Sequence, residues 1–268
     1  MGHDEKEKEY KCPVCGNPVS RDDFYCSKCG AKLSNFQAAT KEIEESSSYE
    51  RKYGLFQRLW GVIFNPKETL NDIALCPEYG GSLLVILLNT GLGIIILFQA
   101  ASKISFVGPY ASKVTSMFYS IVNLASVLTI FIYIARWLIK SLIVWKVCDF
   151  GSGWNFSSAA SVTGYAYIAD FFSAIISLFS TSMLPSLTID TSNAEAAARQ
   201  ANEYTSALMG YQPYLLLISL IFIIWKSYLG GLGTHYGTKK LCPKGTAIII
   251  FIMLSFIGLA VDYLLRYL

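Results

Sequence analysis

From Ser82 onward the chain consists mainly of five long apolar runs, near residues 82–101, 117–139, 158–183, 213–234 and 246–266. Each run has about 20 mainly apolar residues, the length that an α-helix needs to cross roughly 30 Å of hydrocarbon. Charged residues make up only 15% of the chain, against about 25% in soluble domains. Because no soluble core would explain five such runs separated by polar turns, the sequence predicts an all-α polytopic membrane protein with about five transmembrane helices.

The third run is the least apolar of the five and is rich in serine, alanine and glycine between residues 157 and 166. Small residues let two helix backbones approach closely, so we expect this span to lie inside the helix bundle. The stretch 193–209, between the third and fourth runs, is rich in alanine and predicts a short helix outside the spans.

A different pattern lies near the other end of the chain, where two Cys-x2-Cys pairs are each followed directly by a glycine. The pairs are Cys12 with Cys15 and Cys26 with Cys29. Two thiolates at this spacing reach one ion when the backbone turns tightly, and a glycine permits that turn. Two pairs complete a tetrahedral structural zinc site. The alternatives are two disulfides or four free thiols, but the spacing and the glycines favour zinc, and a piece this small has almost no other core to fold it.

The polar N-terminus and the distribution of basic residues predict an orientation in the membrane. The first eleven residues lack the apolar region of a secretory signal, so we expect the N-terminus in the cytosol. With that end inside, the inner segments beside the spans hold 11 Lys and Arg residues and the outer segments hold four, as the positive-inside rule requires. We therefore expect an integral cell-membrane protein with its C-terminus outside. The zinc module then lies in a reducing compartment, where paired cysteines bind metal rather than form disulfides.

Composition divides the chain into five segments. They are a polar tail (1–9), a zinc ribbon (10–33), a flexible linker (34–54), a juxtamembrane amphipathic segment (55–80) and the membrane domain (81–268). The linker is assigned from its serine cluster and its low apolar content.

In the juxtamembrane segment, apolar residues between Leu55 and Ile63 recur at helical spacing, and Pro66 interrupts the pattern. With Arg58 and Lys67 on the polar side, we expect a helix that lies at the membrane surface. The alternative is a short soluble helix that packs on the membrane domain.

Two ionisable residues fall inside predicted spans, Asp170 in the third and Lys226 in the fourth. These spans run antiparallel, and at about 1.5 Å per residue both side chains come near mid-depth, so a pair is geometrically possible. A functional interpretation is an ion or proton path. A structural interpretation is a buried pair, or a Lys226 that reaches the inner surface. We favour the structural interpretation, because one acid and one base do not make a relay.

Residues typical of hydrolytic chemistry are scarce. The two histidines, His3 and His235, form no metalloprotease motif, and no Gly-x-Ser-x-Gly sequence occurs. Cys76, Cys148 and Cys242 all fall on the predicted inner face, where a second metal or redox site is an alternative to incidental thiols. We expect no enzymatic activity and no catalytic residue.

Three stretches carry a family resemblance. They are residues 64–70 (Phe-Asn-Pro-Lys-Glu-Thr-Leu), residues 150–156 (Phe-Gly-Ser-Gly-Trp-Asn-Phe), and Ile224-Trp225 with Leu229-Gly230-Gly231-Leu232. With them, residues 55–268 resemble the Yip family, the Rab-GTPase-interacting membrane proteins of the Yip-one type. Residues 10–33 resemble the zinc ribbon found at the N-termini of archaeal and bacterial membrane proteins. The resemblance implies five spans and a cytosolic N-terminus. It also implies that eukaryotic members bind prenylated small GTPases in vesicle traffic. It implies no catalytic residue.

The sequence as a whole predicts a non-enzymatic membrane scaffold or adaptor in membrane organisation or trafficking, with a structural zinc ion as its cofactor. Its partners are the lipid bilayer and a cytosolic protein bound by the zinc ribbon, and a homo-oligomer stays open. The ribbon's basic residues are partly balanced by Asp22 and Asp23, which argues against nucleic acid. The alternative is a transporter or channel for a small solute or ion, which would use Asp170, Lys226 and the small residues of the third span.

Overall fold

The computed structural model describes residues 10–12, 14–19, 25–31, 50–149 and 151–265. The chain forms two compact units, Met1–Glu50 and Arg51–Leu268. In the first unit, β1 (Tyr10–Lys11) pairs antiparallel with β2 (Pro18–Val19). The ladder encloses the first cysteine pair, so it brings the two ends of that turn together.

Helices dominate the described part of the second unit. They are α1 (Leu55–Phe64), α2 (Pro66–Leu75), α3 (Tyr79–Ser102), α4 (Ala111–Cys148), α5 (Phe156–Ala166), α6 (Ile168–Ser182), α7 (Ala194–Met209), α8 (Gln212–Gly237) and α9 (Lys244–Leu265). Two short strands, β3 (Ile104–Val107) and β4 (Leu187–Asp190), complete the set.

Four stretches of the described chain are long and apolar enough to cross a membrane. They are Tyr79–Ser102, Ala111–Cys148, Phe156–Ser182 and Pro213–Gly237. They coincide with the first four predicted spans, so the chain is a helical protein of the membrane type. The fifth predicted span falls on α9, whose side chains are described only as far as residue 260. The fifth crossing therefore stays a prediction.

Helix α4 is much longer than the span predicted for it at residues 117–139. It has 38 residues, or about 57 Å at 1.5 Å per residue, nearly twice the roughly 30 Å of hydrocarbon. The helix therefore carries residues at both ends, Lys140 among them, that the sequence placed outside the span.

Helix α5 lies at the centre of the bundle, as its small residues predicted. Every residue from Ser158 to Ala166 is buried. A Cβ atom on Gly164 would come within 2.7 Å of Ser82 Oγ and 3.0 Å of Ser82 Cα in α3. The two backbones are this close because neither helix presents a bulky side chain at the crossing. The expectation of close packing in the third span is confirmed.

The loops after α3 and α6 are joined by a parallel ladder between β3 and β4, in which Ile104 lies opposite Leu187 and Val107 opposite Asp190. No alternation in the sequence indicated these strands, because each has only four residues. Helix α7 follows them and confirms the helix predicted at 193–209. It begins where Asn193 Oδ1 accepts hydrogen bonds from the backbone N–H groups of Glu195 (2.9 Å) and Ala196 (3.3 Å).

Candidate metal centre and buried ionic groups

The four predicted metal ligands converge. The sulfur atoms of Cys12, Cys15, Cys26 and Cys29 all lie within 4.8 Å of one another. Cys12 Sγ is 3.7 Å from Cys29 Sγ, and Cys15 Sγ is 3.6 Å from Cys26 Sγ. A tetrahedral ion with metal–sulfur bonds of about 2.3 Å holds its sulfurs about 3.8 Å apart, whereas a disulfide requires about 2.05 Å. The cysteines are unpaired and can hold one metal ion.

Both cysteine pairs are built by the same backbone turn. The N–H of Gly16 donates to the carbonyl of Cys12 (2.8 Å), and the N–H of Cys12 donates to the carbonyl of Asn17 (2.8 Å). The equivalent bonds recur at the second pair. Gly16 and Gly30 both have φ of 69°, a left-handed conformation that glycine adopts at no steric cost. The glycines of the sequence pattern are therefore what lets each pair turn towards the metal position.

The sulfur atoms of the cluster differ in acidity. The backbone N–H groups of Cys29 and Lys28 donate to the sulfur of Cys26 and lower the pKa of that thiol to about 6. At Cys29 the backbone N–H of Ala31 acts in the same direction, but the neighbouring Cys15 sulfur and burial outweigh it and raise the pKa of that thiol to about 12. The thiolate is the form that binds metal, so the cluster favours that form at Cys26 and disfavours it at Cys29. In the described part of the chain, no other group of three or more His, Cys, Asp or Glu side chains is close enough to share an ion.

The structure also brings Asp170 and Lys226 together. Lys226 Nζ in α8 donates to Asp170 Oδ2 in the first turn of α6, at 2.7 Å. The Lys226 side chain keeps 11% of its surface exposed and the Asp170 side chain 26%. The pair therefore lies inside the bundle with its carboxylate towards the more open side.

A second lysine lies beside this pair. Lys140 of α4 is buried, and its Nζ donates to Ser255 Oγ of α9 at 2.9 Å. The ammonium groups of Lys140 and Lys226 lie 5.8 and 5.0 Å from the ring centroid of Tyr167, the residue between α5 and α6. The carbonyl of Tyr167 accepts a hydrogen bond from Asn89 Nδ2 at 3.2 Å. Two lysines therefore converge with one aspartate, and sequence reasoning identified only one of the lysines.

The expectation that Arg58 lies on a polar outer face of α1 is wrong. The side chains of Arg58 and Asp72, in α2, have no exposed surface. Arg58 Nε and Nη2 both lie 2.8 Å from Asp72 Oδ2, and Arg58 Nη1 donates to the carbonyl of Cys76 at 2.9 Å. Asp72 Oδ1 accepts the backbone N–H of Lys52 at 2.9 Å. Arg58 turns inward because the carboxylate of Asp72 and the carbonyl of Cys76 accept the hydrogen bonds that its guanidinium would otherwise donate to water.

This ion pair extends into a larger group that we call the Arg58 cluster, consisting of Arg51, Arg58, Asp72, Glu78 and Tyr165. Glu78 Oε2 lies 2.8 Å from Arg51 Nη1, and Glu78 Oε1 accepts the Tyr165 hydroxyl at 2.7 Å. Arg58 Nη1 is 3.5 Å from the same Oε1. The cluster therefore connects α1 and α2 with the start of α3 and with α5. Nothing in the sequence indicated it, because its members are spread over more than a hundred residues.

The three remaining cysteines do not form one site. Cys148 and Cys242 are fully buried in an apolar cluster with Trp154 and Phe251, and burial raises the pKa of Cys242. Cys76 lies elsewhere, beside the Arg58 cluster, and burial is also the main cause that raises the pKa of its thiol. Raised pKa values disfavour the thiolate form of Cys76 and Cys242, which is the form that binds metal and reacts as a nucleophile.

Comparison of the chain with models of protein families, with curated proteins and with solved structures finds no match. The resemblance to the Yip family therefore stays a prediction, and function is argued from the geometry of the two units.

Proposed function

We propose that the protein is a non-enzymatic integral membrane adaptor, whose zinc ribbon recruits a protein partner in the cytosol. The observation that carries the proposal is the four-cysteine cluster, which closes a compact unit distinct from the helical unit. Four sulfur donors are typical of a structural zinc ion, and they leave no open position for a substrate or a catalytic water. The metal would then serve to fold a recognition surface.

The exposed side chains of the ribbon support this role. Val14 keeps 72% of its surface exposed and Tyr25 keeps 59%. Tyrosine is one of the side chains enriched at the hot spots of protein interfaces, and the exposed Val14 adds apolar surface to the same unit. The excess of basic residues on one side of the spans favours a ribbon in the cytosol, and the resemblance to the Yip family favours membrane organisation or trafficking as the process served.

The test is affinity capture of the detergent-solubilised full-length protein from its native cells, read by mass spectrometry. We expect a partner that is lost with Val14→Asp and with deletion of residues 1–54. The partner should be retained with Lys11→Gln, a control at an exposed position of the same unit. Recovery of the same proteins by all four forms would contradict the adaptor role.

A second candidate function, transport of a small solute or ion, is favoured by the 2.7 Å contact between Lys226 and Asp170. Ionisable side chains within spans are costly, and they commonly mark a transport path. We expect Asp170→Asn to change solute or ion flux in proteoliposomes. Asp190→Asn, in the strand β4, should leave that flux unchanged. No flux for any of a panel of ions and metabolites would eliminate this candidate.

A further inference from the structure

Helix α1 presents an apolar stripe on the side opposite to Arg58. Phe56, Trp60 and Phe64 are four residues apart and keep 79%, 67% and 67% of their surfaces exposed. The rings of Trp60 and Phe64 are 4.7 Å apart. Because Arg58, the charged residue of α1, is turned inward into its cluster, the stripe carries no charge. Three large apolar side chains in a row are too costly to leave in water.

An open groove runs along this stripe. Its volume is about 800 Å³, within the roughly 300–1,000 Å³ of pockets that hold small ligands. The sides of the groove come from α1, with Leu59, Trp60 and Ile63 among them, and it is completed by Leu88 of α3 and Ile168 of α6. The groove therefore lies between the juxtamembrane helix and two helices that belong to predicted spans.

The position of Leu88 places the groove at the level of the lipid chains. Leu88 is nine residues beyond Tyr79, where α3 begins, so it lies about 14 Å along that helix. Leu83 and Leu87, on the same helix, keep 41% and 58% of their surfaces exposed. The groove therefore continues the apolar surface that α3 presents to a bilayer. Helices in the membrane interface bury their apolar face roughly 5–10 Å deep, where acyl chains begin.

We propose that this groove binds one acyl chain of a membrane phospholipid. The aromatic stripe covers one side of the chain, and Leu88 and Ile168 contact the other. Helix α1 then rests on a bound lipid as well as on protein, since its inward side is held by the Arg58 cluster. The inference is independent of the adaptor role, because it concerns a different unit of the chain.

The first measurement is quenching of Trp60 fluorescence by lipid. The full-length protein is reconstituted in phosphatidylcholine vesicles with or without bromine on the acyl chains. The difference between the native protein and Trp60→Phe isolates Trp60 from the other tryptophans, of which the chain has five in all. We expect the Trp60 emission to be lower with brominated than with unbrominated chains, because the aromatic stripe contacts the acyl chain. An unquenched Trp60 would overturn the proposal.

The second measurement distinguishes a bound chain from bulk lipid. Phospholipid retained by the purified protein in detergent is counted by native mass spectrometry. Leu88→Trp fills the groove, and we expect it to lose one retained phospholipid. Leu138→Trp is the matched control, because Leu138 on α4 is 40% exposed and Leu88 is 42% exposed. Equal retention by the two variants would overturn the groove as a binding site. Crosslinking of Trp60→Cys into a dimer, with Trp60 shielded from lipid, would instead assign the groove to a second copy of the chain.

Discussion

Removal of the Asp72 carboxylate is expected to be among the most damaging single changes in the helical unit. Asp72→Ala deletes both 2.8 Å contacts to Arg58 and the acceptor of the Lys52 N–H. The guanidinium stays fully buried, with the carbonyl of Cys76 at 2.9 Å, the backbone carbonyl of residue 72 at 3.4 Å and Glu78 at 3.5 Å as its nearest compensation. None of these replaces a carboxylate in direct contact, so a buried charge is left largely unpaired.

The magnitude of the destabilisation follows from the two interactions that Asp72→Ala removes. Breaking a buried ion pair by deleting one partner costs about 3–5 kcal/mol, and the lost hydrogen bond from the Lys52 N–H to the Asp72 carboxylate adds about 1 kcal/mol. The partial compensation by Glu78 places the expected destabilisation near the lower end, at about 4 kcal/mol. That is roughly a thousandfold change in the folding equilibrium, against a typical total stability of about 5–15 kcal/mol.

The assay is unfolding of the purified protein in mixed detergent and SDS micelles, followed by tryptophan fluorescence. Glu195→Ala is the control, since it removes an ion pair to Arg199 in which both side chains are largely exposed, and we expect no measurable change. The double variant Arg58→Leu with Asp72→Ala should be more stable than Asp72→Ala alone, because it removes the unpaired charge. A cost below about 1 kcal/mol for Asp72→Ala, or strictly additive single and double variants, would refute the reasoning.

The remaining predictions concern the metal centre, the pair within the bundle and helix packing. Cys29→Ser should abolish stoichiometric bound metal, measured by elemental analysis, while the helical circular dichroism is retained, because the cysteine cluster and the helices belong to two different compact units. Lys226→Met should lower the unfolding free energy by about 2 kcal/mol, and adding Asp170→Asn should recover most of it, since the neutral amide needs no counter-charge. Gly231→Ala should destabilise the protein in the same assay, because its Cβ would lie 2.7 Å from the backbone N of Ile248. Gly91→Ala should not, since no atom lies within 4 Å of its added Cβ.

The sequence predicted well those features whose local residue pattern is compatible with only one kind of structure. Apolar runs of about 20 residues have few alternatives to a spanning helix, and four of them are found where expected. The two Cys-x2-Cys-Gly turns bring four sulfurs together because the local backbone, rather than distant packing, shapes each pair. Small residues in the third run predicted a buried helix for a similar reason, since only close helix contact makes use of them.

The inward side of α1 could not be predicted in the same way. Periodicity detected the helix, but it assigns a lone arginine to the outside by default. What turns Arg58 inward is Asp72, which lies 14 residues away in another helix. Whether Arg58 lies inside or outside depends on whether a buried carboxylate is available to pair with it. Nothing in the sequence of α2 distinguishes Asp72 from an exposed aspartate. The consequence is large, because the reversal turns the aromatic stripe outward and opens the groove.

The position of Lys140 also could not be predicted from hydropathy, and it bears on whether the buried charges of the bundle are structural or functional. Hydropathy ends the second span at residue 139 and so leaves Lys140 just outside it, yet α4 continues to Cys148. A transmembrane pattern reports where the hydrocarbon ends and not where the helix ends. The bundle therefore holds Lys140 as well as the pair of Asp170 and Lys226. One acid and one base favour a structural pair, whereas the structure adds the buried amine of Lys140, whose Nζ donates to Ser255 Oγ. An ionisable side chain buried among the spans is a candidate functional group, so we expect Lys140→Met, like Asp170→Asn, to change the flux of a transported solute in proteoliposomes. Unchanged flux in both variants would contradict the transport candidate.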